Sequence, residues 1–251
     1  MSPELHPSAA VGFERASGAY ERGRPDYPAD AVIHVVEHLG IGPGRRVLDL
    51  AAGTGKLTRA LVATGADVVA VEPVSAMRAT LASGLPTVHA VAGTAEALPL
   101  ADGSVDAATV AQAFHWFDAS AAIDELHRVL RDRGRLCLIW NVRDGTDPLQ
   151  ASLSALIAPY RAATPSQGGE RWRKAFEQTD RFTMPELATF RHEQRLDVER
   201  LVDRVVSVSF IAVLDDDERA ALASRVRALA PPGGEVVLPY RTDVWTTQRR
   251  R

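Results

Sequence analysis

The sequence predicts an α/β domain with a mostly parallel sheet covered by helices on both faces. Two observations carry this reading. Short apolar runs alternate with helically periodic segments at the spacing of βαβ units, and the first apolar run passes through a glycine turn directly into a helix. With 251 residues, of which 46% are hydrophobic and 24% charged, the chain suits one large domain with a sizeable core.

The first thirty residues, rich in Gly, Pro, Arg and Tyr, read as an irregular leader. Val32, Ile33, Val35, Val36 and Leu39 then form a helical apolar stripe that stops at Gly40. Arg46 to Leu50 is a strand of the doubly covered kind. A helix with Leu57, Leu61 and Val62 on one side ends at Gly65, and Val68 to Val71 is the second strand, with Glu72 at its end. A helix near 76–81 precedes a third strand over 87–91, and Val105 to Ala111 is the fourth. Asp118 caps a helix carrying Ile123, Leu126, Val129 and Leu130, closed by Gly134, and Arg135 to Asn141 is the fifth strand. Residues 143–189, punctuated by Pro148, Pro159, Pro165, Gly168-Gly169 and Pro185, read as a cap insertion over the sheet edge. A strand over 190–196, two helices and a last strand over 235–246 complete the chain.

Composition excludes several classes of function. Twenty-nine basic against 32 acidic residues give a net charge of −3, with none of the basic excess that nucleic-acid binders use against phosphates. The single cysteine, Cys137, lies in the apolar run 136–140, so neither a disulfide framework nor a multi-cysteine metal site fits. No apolar run has the length of a membrane span, and the start has no signal-peptide pattern; a cytoplasmic protein without nucleic-acid or membrane partners is expected. His34-Val35-Val36-Glu37-His38 spells H-x-x-E-H, but its polar residues fall opposite the apolar stripe and nothing nearby supplies a third ligand, so no metal is expected.

The chemistry concentrates at Asp49-Leu50-Ala51-Ala52-Gly53-Thr54-Gly55, where small residues let a backbone approach a ligand and the helix start offers free N–H groups. A phosphate-cradling P-loop fails, because Leu50 and Leu57 occupy the positions of its first glycine and its hydroxyl. A dinucleotide turn is weakened by Thr58 in place of the third small residue. A third ligand, adenosine with an amino-acid tail and no phosphate, needs one acid near the turn for an ammonium and another for the ribose; Asp49 and Glu72, 23 residues apart at two strand ends, suit it.

Further motifs follow in order: Val71-Glu72-Pro73, Gly93-Thr94-Ala95-Glu96-Ala97-Leu98-Pro99-Leu100 and Ala111-Gln112-Ala113-Phe114-His115-Trp116-Phe117-Asp118. They are preceded by Tyr20-Glu21-Arg22-Gly23-Arg24-Pro25-Asp26-Tyr27-Pro28, and Leu238-Pro239-Tyr240-Arg241-Thr242 closes the set. In these the chain resembles the class I S-adenosylmethionine-dependent methyltransferases, in particular small-molecule enzymes like trans-aconitate methyltransferase, over about residues 13–141. The resemblance implies one Rossmann-like domain over 1–251, with seven strands, an antiparallel last strand, and a lid formed by the leader and the cap insertion.

It also implies site residues. Ala51, Gly53 and Gly55 would lie beneath the methionine part of S-adenosylmethionine, Glu72 with Pro73 at the ribose, and Met77 on the adenine. Thr94, where relatives commonly carry Asp, would frame the adenine edge with Ala95 and Glu96. Ala111 and Gln112 would sit beside the sulfonium, and Tyr20 and Arg24 would close over the amino-acid end. Trp116, Arg143, Tyr160 and Trp172 are candidates for a small-molecule acceptor, and His115 is a candidate base beside a pocket-shaping alternative. The expected reaction is methyl transfer with S-adenosylhomocysteine as product. A nicotinamide-dependent oxidoreductase and a non-catalytic binding protein of the same fold remain open as alternatives.

Overall fold

A computed structural model describes residues 7–161, 168 and 171–251. Residues 1–6 of the expected leader and 162–167 and 169–170 of the expected cap, including Pro165 and Gly169, lie outside the described residues.

In chain order the elements are helices α1 (Pro7–Gly23) and α2 (Ala29–Leu39), strand β1 (Arg46–Leu50), α3 (Lys56–Val62), β2 (Asp67–Val71), α4 (Ser75–Gly84), β3 (His89–Val91) and β4 (Val105–Ala111). They continue with α5 (Ala119–Val129), β5 (Leu130–Arg143), α6 (Pro148–Ile157), α7 (Arg171–Gln178), β6 (Glu186–Leu196), α8 (Val198–Val206), α9 (Ser209–Ala212), α10 (Asp216–Leu229) and β7 (Val236–Gln248). The sheet order is β3-β2-β1-β4-β5-β7-β6, with β7 antiparallel to both neighbours and the pairs from β3 through β5 parallel. This is the Rossmann-like seven-stranded arrangement expected. Its order reverses between β1 and β4, which opens a crevice beyond their carboxyl ends.

The period-two alternation of β1 sorts its side chains between layers. Leu48 and Leu50 join Ile123, Leu126, Trp172 and Phe176 on the α5/α7 side, while Val47 packs with Val35, Leu57 and Leu61 on the α2/α3 side. Asp49 therefore faces α3. Cys137, midway along β5, is fully buried between Thr109 of β4 and Thr246 of β7, and burial pushes its thiol well up. Asp118, Asp197 and Asp215 cap α5, α8 and α10 by accepting from backbone N–H groups of the first turn. No helix among the described residues is long and apolar enough to cross a membrane.

Several expectations need correction. The leader is not irregular: residues 7–23 form a helix that packs on α8, α9 and α4. Its glycines lower helix propensity and so hide it, but two of them are contact points. A Cβ on Gly12 would come within 2.5 Å of the Ser209 carbonyl oxygen, and one on Gly23 within 2.3 Å of the Arg204 nitrogen. On α2 the buried residues are Ala31, Val35 and Leu39, whereas Ile33 is 55% exposed. Gly134 does not cap α5, which already ends at Val129; it sits inside β5 next to Arg133, whose φ is +61°. Finally, the cap is partly sheet and core. β6 begins at Glu186, and α7 buries Trp172 and Phe176 in the main core.

Candidate active site at the carboxyl ends of β1 and β4

The glycine turn is shaped by backbone conformations that few side chains accept. Ala51 (φ +54°), Gly53 (φ +59°) and Gly55 (φ +89°) all lie in the left-handed region, and Gln112, just past β4, has φ +60°. Non-glycine residues held there carry strain that surrounding structure must impose. For Gln112, its N–H donates to the Ile139 carbonyl (2.9 Å) and its side chain pairs with the Tyr27 hydroxyl. Gly55 has a second constraint, since a Cβ there would come within 3.0 Å of Leu81 on α4.

The two acids sit at the turn, each accepting from protein groups on both of its oxygens. Asp49 is fully buried and accepts from the hydroxyls of Thr58 (2.6 Å) and Thr109 (2.8 Å), which ties β1 to α3 and β4. Burial raises its pKa to about 6 against those donors. Each of its oxygens takes a hydroxyl inside the protein, and the carboxylate braces the turn. Glu72, 4% exposed, accepts from the backbone N–H groups of Gly53 and Val74, both at 2.8 Å, and burial raises it to about 7. It thereby clips the glycine turn to the end of β2. Pro73 presents its carbonyl to Arg78, and Met77 is buried with its sulfur 3.7 Å from where a Gly53 Cβ would lie.

On the other side of the turn, Ala95 is buried and Glu96 accepts from the Asp118 N–H. The buried Thr94 hydroxyl has no partner among the described residues.

The leader helix closes the crevice. Tyr20, Arg24, Pro25 and Tyr27 face Ala51, Gly53, Ala111 and Gln112 across a space of only about 40 Å³. Glu21 accepts from Thr54 (2.5 Å) and Arg59 (3.2 Å), and Asp26 pairs with Lys56 (2.9 Å). Asn141 of β5 donates to the carbonyl of Asp26 (3.2 Å) and accepts from Thr242 (2.6 Å). Arg24 lies over the Tyr20 ring, 5.1 Å from its centre, donates to the Ser207 carbonyl, and keeps a buried Nε without a partner.

Beyond this crevice lies a larger chamber of about 570 Å³, sharing Tyr20, Arg24, Gln112, Asn141 and Arg204 with it. Trp116, Arg143 and His115 line the chamber as the sequence suggested. Tyr160 and Trp172 do not. Tyr160 is half-buried against the α6/α8/α10 cluster, and Trp172 stacks among Trp140, Phe176 and Trp245 in the core. His115 is a poor base here: Trp140 donates its indole N–H to Nδ1 (3.3 Å), and burial, helped by Arg161 and Arg24, lowers its pKa to about 4. Sequence reasoning missed Arg204, Asn141, Tyr27 and Phe210. Tyr27 lies within the motif 20–28, and Arg204 left a signal as a charge inside the apolar spacing Leu201, Val202, Val205 of α8.

The comparisons agree with this geometry. A methyltransferase-domain profile matches residues 48–138, which span the glycine turn and the first β5 residues. An uncharacterized methyltransferase of Mycobacterium tuberculosis is 42% identical over 246 residues, covering 93% of each chain. An uncharacterized methyltransferase-like protein of Schizosaccharomyces pombe is 34% identical over 87% of this chain and 85% of its own. Among solved structures, the Haemonchus contortus phosphoethanolamine N-methyltransferase 2, solved with S-adenosylhomocysteine, covers 95% of this chain and 58% of its own, with a TM-score of 0.58 at 16% identity. With a near full-length relative at this identity, the chain belongs to the class I S-adenosylmethionine-dependent methyltransferases.

Proposed function

We propose that the protein transfers a methyl group from S-adenosylmethionine to a small-molecule acceptor by in-line displacement. The observation that carries this reading is the shared wall between the crevice and the chamber: Gln112 and Asn141 border both. A donor seated over the glycine turn and an acceptor in the chamber would meet there.

The residues fit the cofactor. Glu72 would take the ribose hydroxyls on the lone pairs that Gly53 and Val74 leave free, Met77 and Ala95 would take the adenine faces, and the Thr94 hydroxyl its polar edge. The partnerless Nε of Arg24 would meet the carboxylate of the amino-acid end, with Tyr20 beside it. Asp49 would act through the turn, by fixing its left-handed backbone. When bound, the cofactor supplies an electrophilic sulfonium methyl.

The chain's own contribution is then positional. Tyr20 and Gln112 hold the junction between the two spaces, and α1 keeps water from it. Among the described residues no side chain lining the chamber is placed as a neutral-pH base, because the Nδ1 lone pair of His115 is occupied by Trp140. His115 instead shapes the wall and carries its proton on Nε2, the tautomer this hydrogen bond selects.

Calorimetry with S-adenosylhomocysteine on the native protein and on Glu72→Ala tests the reading, followed by a metabolite screen for the mass gain of one methyl. Tight binding that Glu72→Ala weakens supports it. Binding of NAD(H) with no binding of S-adenosylhomocysteine would overturn it.

A further inference from the structure

Asn141, which borders both the crevice and the chamber, has its carboxamide held at both ends. The amide nitrogen donates to the carbonyls of Pro25 (3.4 Å) and Asp26 (3.2 Å), in the link between α1 and α2. The oxygen accepts from the Thr242 hydroxyl (2.6 Å) and from Nε2 of His192 (3.3 Å). Those two carbonyls belong to the segment that brings Arg24 and Tyr27 into the crevice wall. Two residues along the same face of β6, Gln194 donates to the Gly23 carbonyl (3.0 Å). Although β6 is an edge strand of the sheet and the glycine turn lies at its middle, β6 thus reaches the leader directly at Gly23 and through Asn141 at Pro25 and Asp26.

Within this network His192 is the group that sets which way the carboxamide points. A hydroxyl serves equally as donor or acceptor, so Thr242 would take either end of an amide. A neutral imidazole nitrogen could do the same, but here its choice is removed. Nδ1 of His192 is buried without a partner among the described residues, and a buried N–H lacking an acceptor is rarer and costlier than a bare acceptor nitrogen. The proton therefore sits on Nε2, shared between the Asn141 oxygen and Oγ1 of Thr242 (3.4 Å). Burial, opposed by the carboxylate of Asp30, lowers the pKa of the ring and keeps it neutral at pH 7. As an obligate donor, His192 turns the oxygen of Asn141 toward β6 and its amino group toward the leader.

We propose that His192 is a positioning residue for the cofactor crevice: by fixing the carboxamide of Asn141 with its amino group toward Pro25 and Asp26, it presets the seat on which the leader closes. The assignment rests on the methyl-transfer reading, in which the closed leader brings Arg24 to the carboxylate of S-adenosylmethionine.

Two measurements on the full chain test it: stopped-flow release of S-adenosylhomocysteine, and amide exchange at Arg24, Asp26 and Tyr27 in the ligand-free protein. His192→Phe keeps a flat ring without a donor. It should speed release about threefold to tenfold, the span of one net hydrogen bond, and raise exchange by a similar factor. His192→Gln places an amide nitrogen where Nε2 lies and should recover most of both effects. His192→Asn, whose nitrogen reaches only the place of Nδ1, should recover neither, whereas a residue that merely filled space would make Gln and Asn equivalent. In an Asn141→Ala background His192→Phe should change neither readout further, because the group it orients is gone. The inference is overturned if His192→Phe leaves release and exchange unchanged, if Asn rescues as well as Gln, or if the effect of His192→Phe persists without Asn141. Exchange that follows this pattern in a protein that does not bind S-adenosylhomocysteine supports the seat and removes the methyl-transfer reading, whereas tight binding with exchange and release indifferent to His192 removes the seat alone.

Discussion

Glu21 of α1 grips Thr54 of the glycine turn, accepting its hydroxyl at 2.5 Å on one carboxylate oxygen while the other takes Arg59 at 3.2 Å. Thr54 is 2% exposed, so this pair fastens the leader helix over a crevice with room for little more than a water molecule or two. A ligand the size of a nucleoside can reach the turn only if α1 moves. Glu21→Gln should therefore speed both association and release of S-adenosylhomocysteine. A charge-assisted hydrogen bond is worth about 1.5–3 kcal/mol when desolvated, so changes of about tenfold in the rates are expected by stopped-flow fluorescence. Unchanged rates would mean that the latch is open in solution.

A second prediction concerns proton linkage at Glu72. Its folded pKa of about 7 lies above its ordinary value, so between pH 4.5 and 7 the folded state binds more protons than the unfolded one. Glu72 thus favours folding most below pH 4.5, and that contribution is lost as pH rises through 7. A shift of this size is worth about 3 kcal/mol across the window. Urea unfolding should show Glu72→Gln losing the downward slope over pH 5–7. Ribose hydroxyls donating to the carboxylate would favour its ionised form, so ligand binding at pH 6.5 should release protons, visible as a buffer-dependent enthalpy in calorimetry.

The brace beneath the turn gives a third. Thr58→Val keeps the shape of α3 but removes the hydroxyl that Asp49 accepts at 2.6 Å. Leaving a buried carboxylate oxygen unsatisfied costs about 1–3 kcal/mol. Because Asp49 titrates at about 6 in the fold, the loss should be larger at pH 8, where it is ionised, than at pH 5, where it is largely protonated. Chemical denaturation at the two pH values checks this; equal losses would show that Asp49 holds its proton throughout.

A fourth follows from the close approach of α1 to α8. Gly23→Ala places a Cβ 2.3 Å from the Arg204 nitrogen, and the nearest atoms are all α8 backbone, with no flexible side chain to yield. Overpacking of this kind costs about 1–3 kcal/mol. The C-terminal turn of α1 should lift, breaking the Gln194 hydrogen bond to the Gly23 carbonyl, and hydrogen exchange over 7–28 should rise while β1 and β4 stay protected.

Much of this architecture is written in local pattern. The strands β1, β2 and β4 and the 136–140 part of β5 are short, mainly apolar runs, and α5 announces itself with Asp118. The glycine turn and Glu72 were legible because a left-handed backbone and a strand-end acid each restrict residue type strongly. The helix α1 was not, because Gly12, Gly18 and Gly23 carry the compositional signature of a loop, while Gly12 serves as a contact point for α9 and Gly23 for α8. The chamber was only half visible. Arg143 and Trp116 follow strands whose ends were known, but Arg204, Asn141 and Phe210 converge from α8, β5 and α9, a meeting that no local spacing encodes. Trp172 misled for the opposite reason, since an aromatic residue in a proline-broken segment looks like a lid and here belongs to the core.

Cys137 turns the middle of the sheet into a clock. As the sole sulfhydryl in the chain, screened by strands on either side and held protonated, it reacts only when β5 parts from its neighbours. Labelling by a thiol reagent in native buffer would accordingly time the sheet's rare openings, and it would stay silent while α1 swings back and forth above the turn.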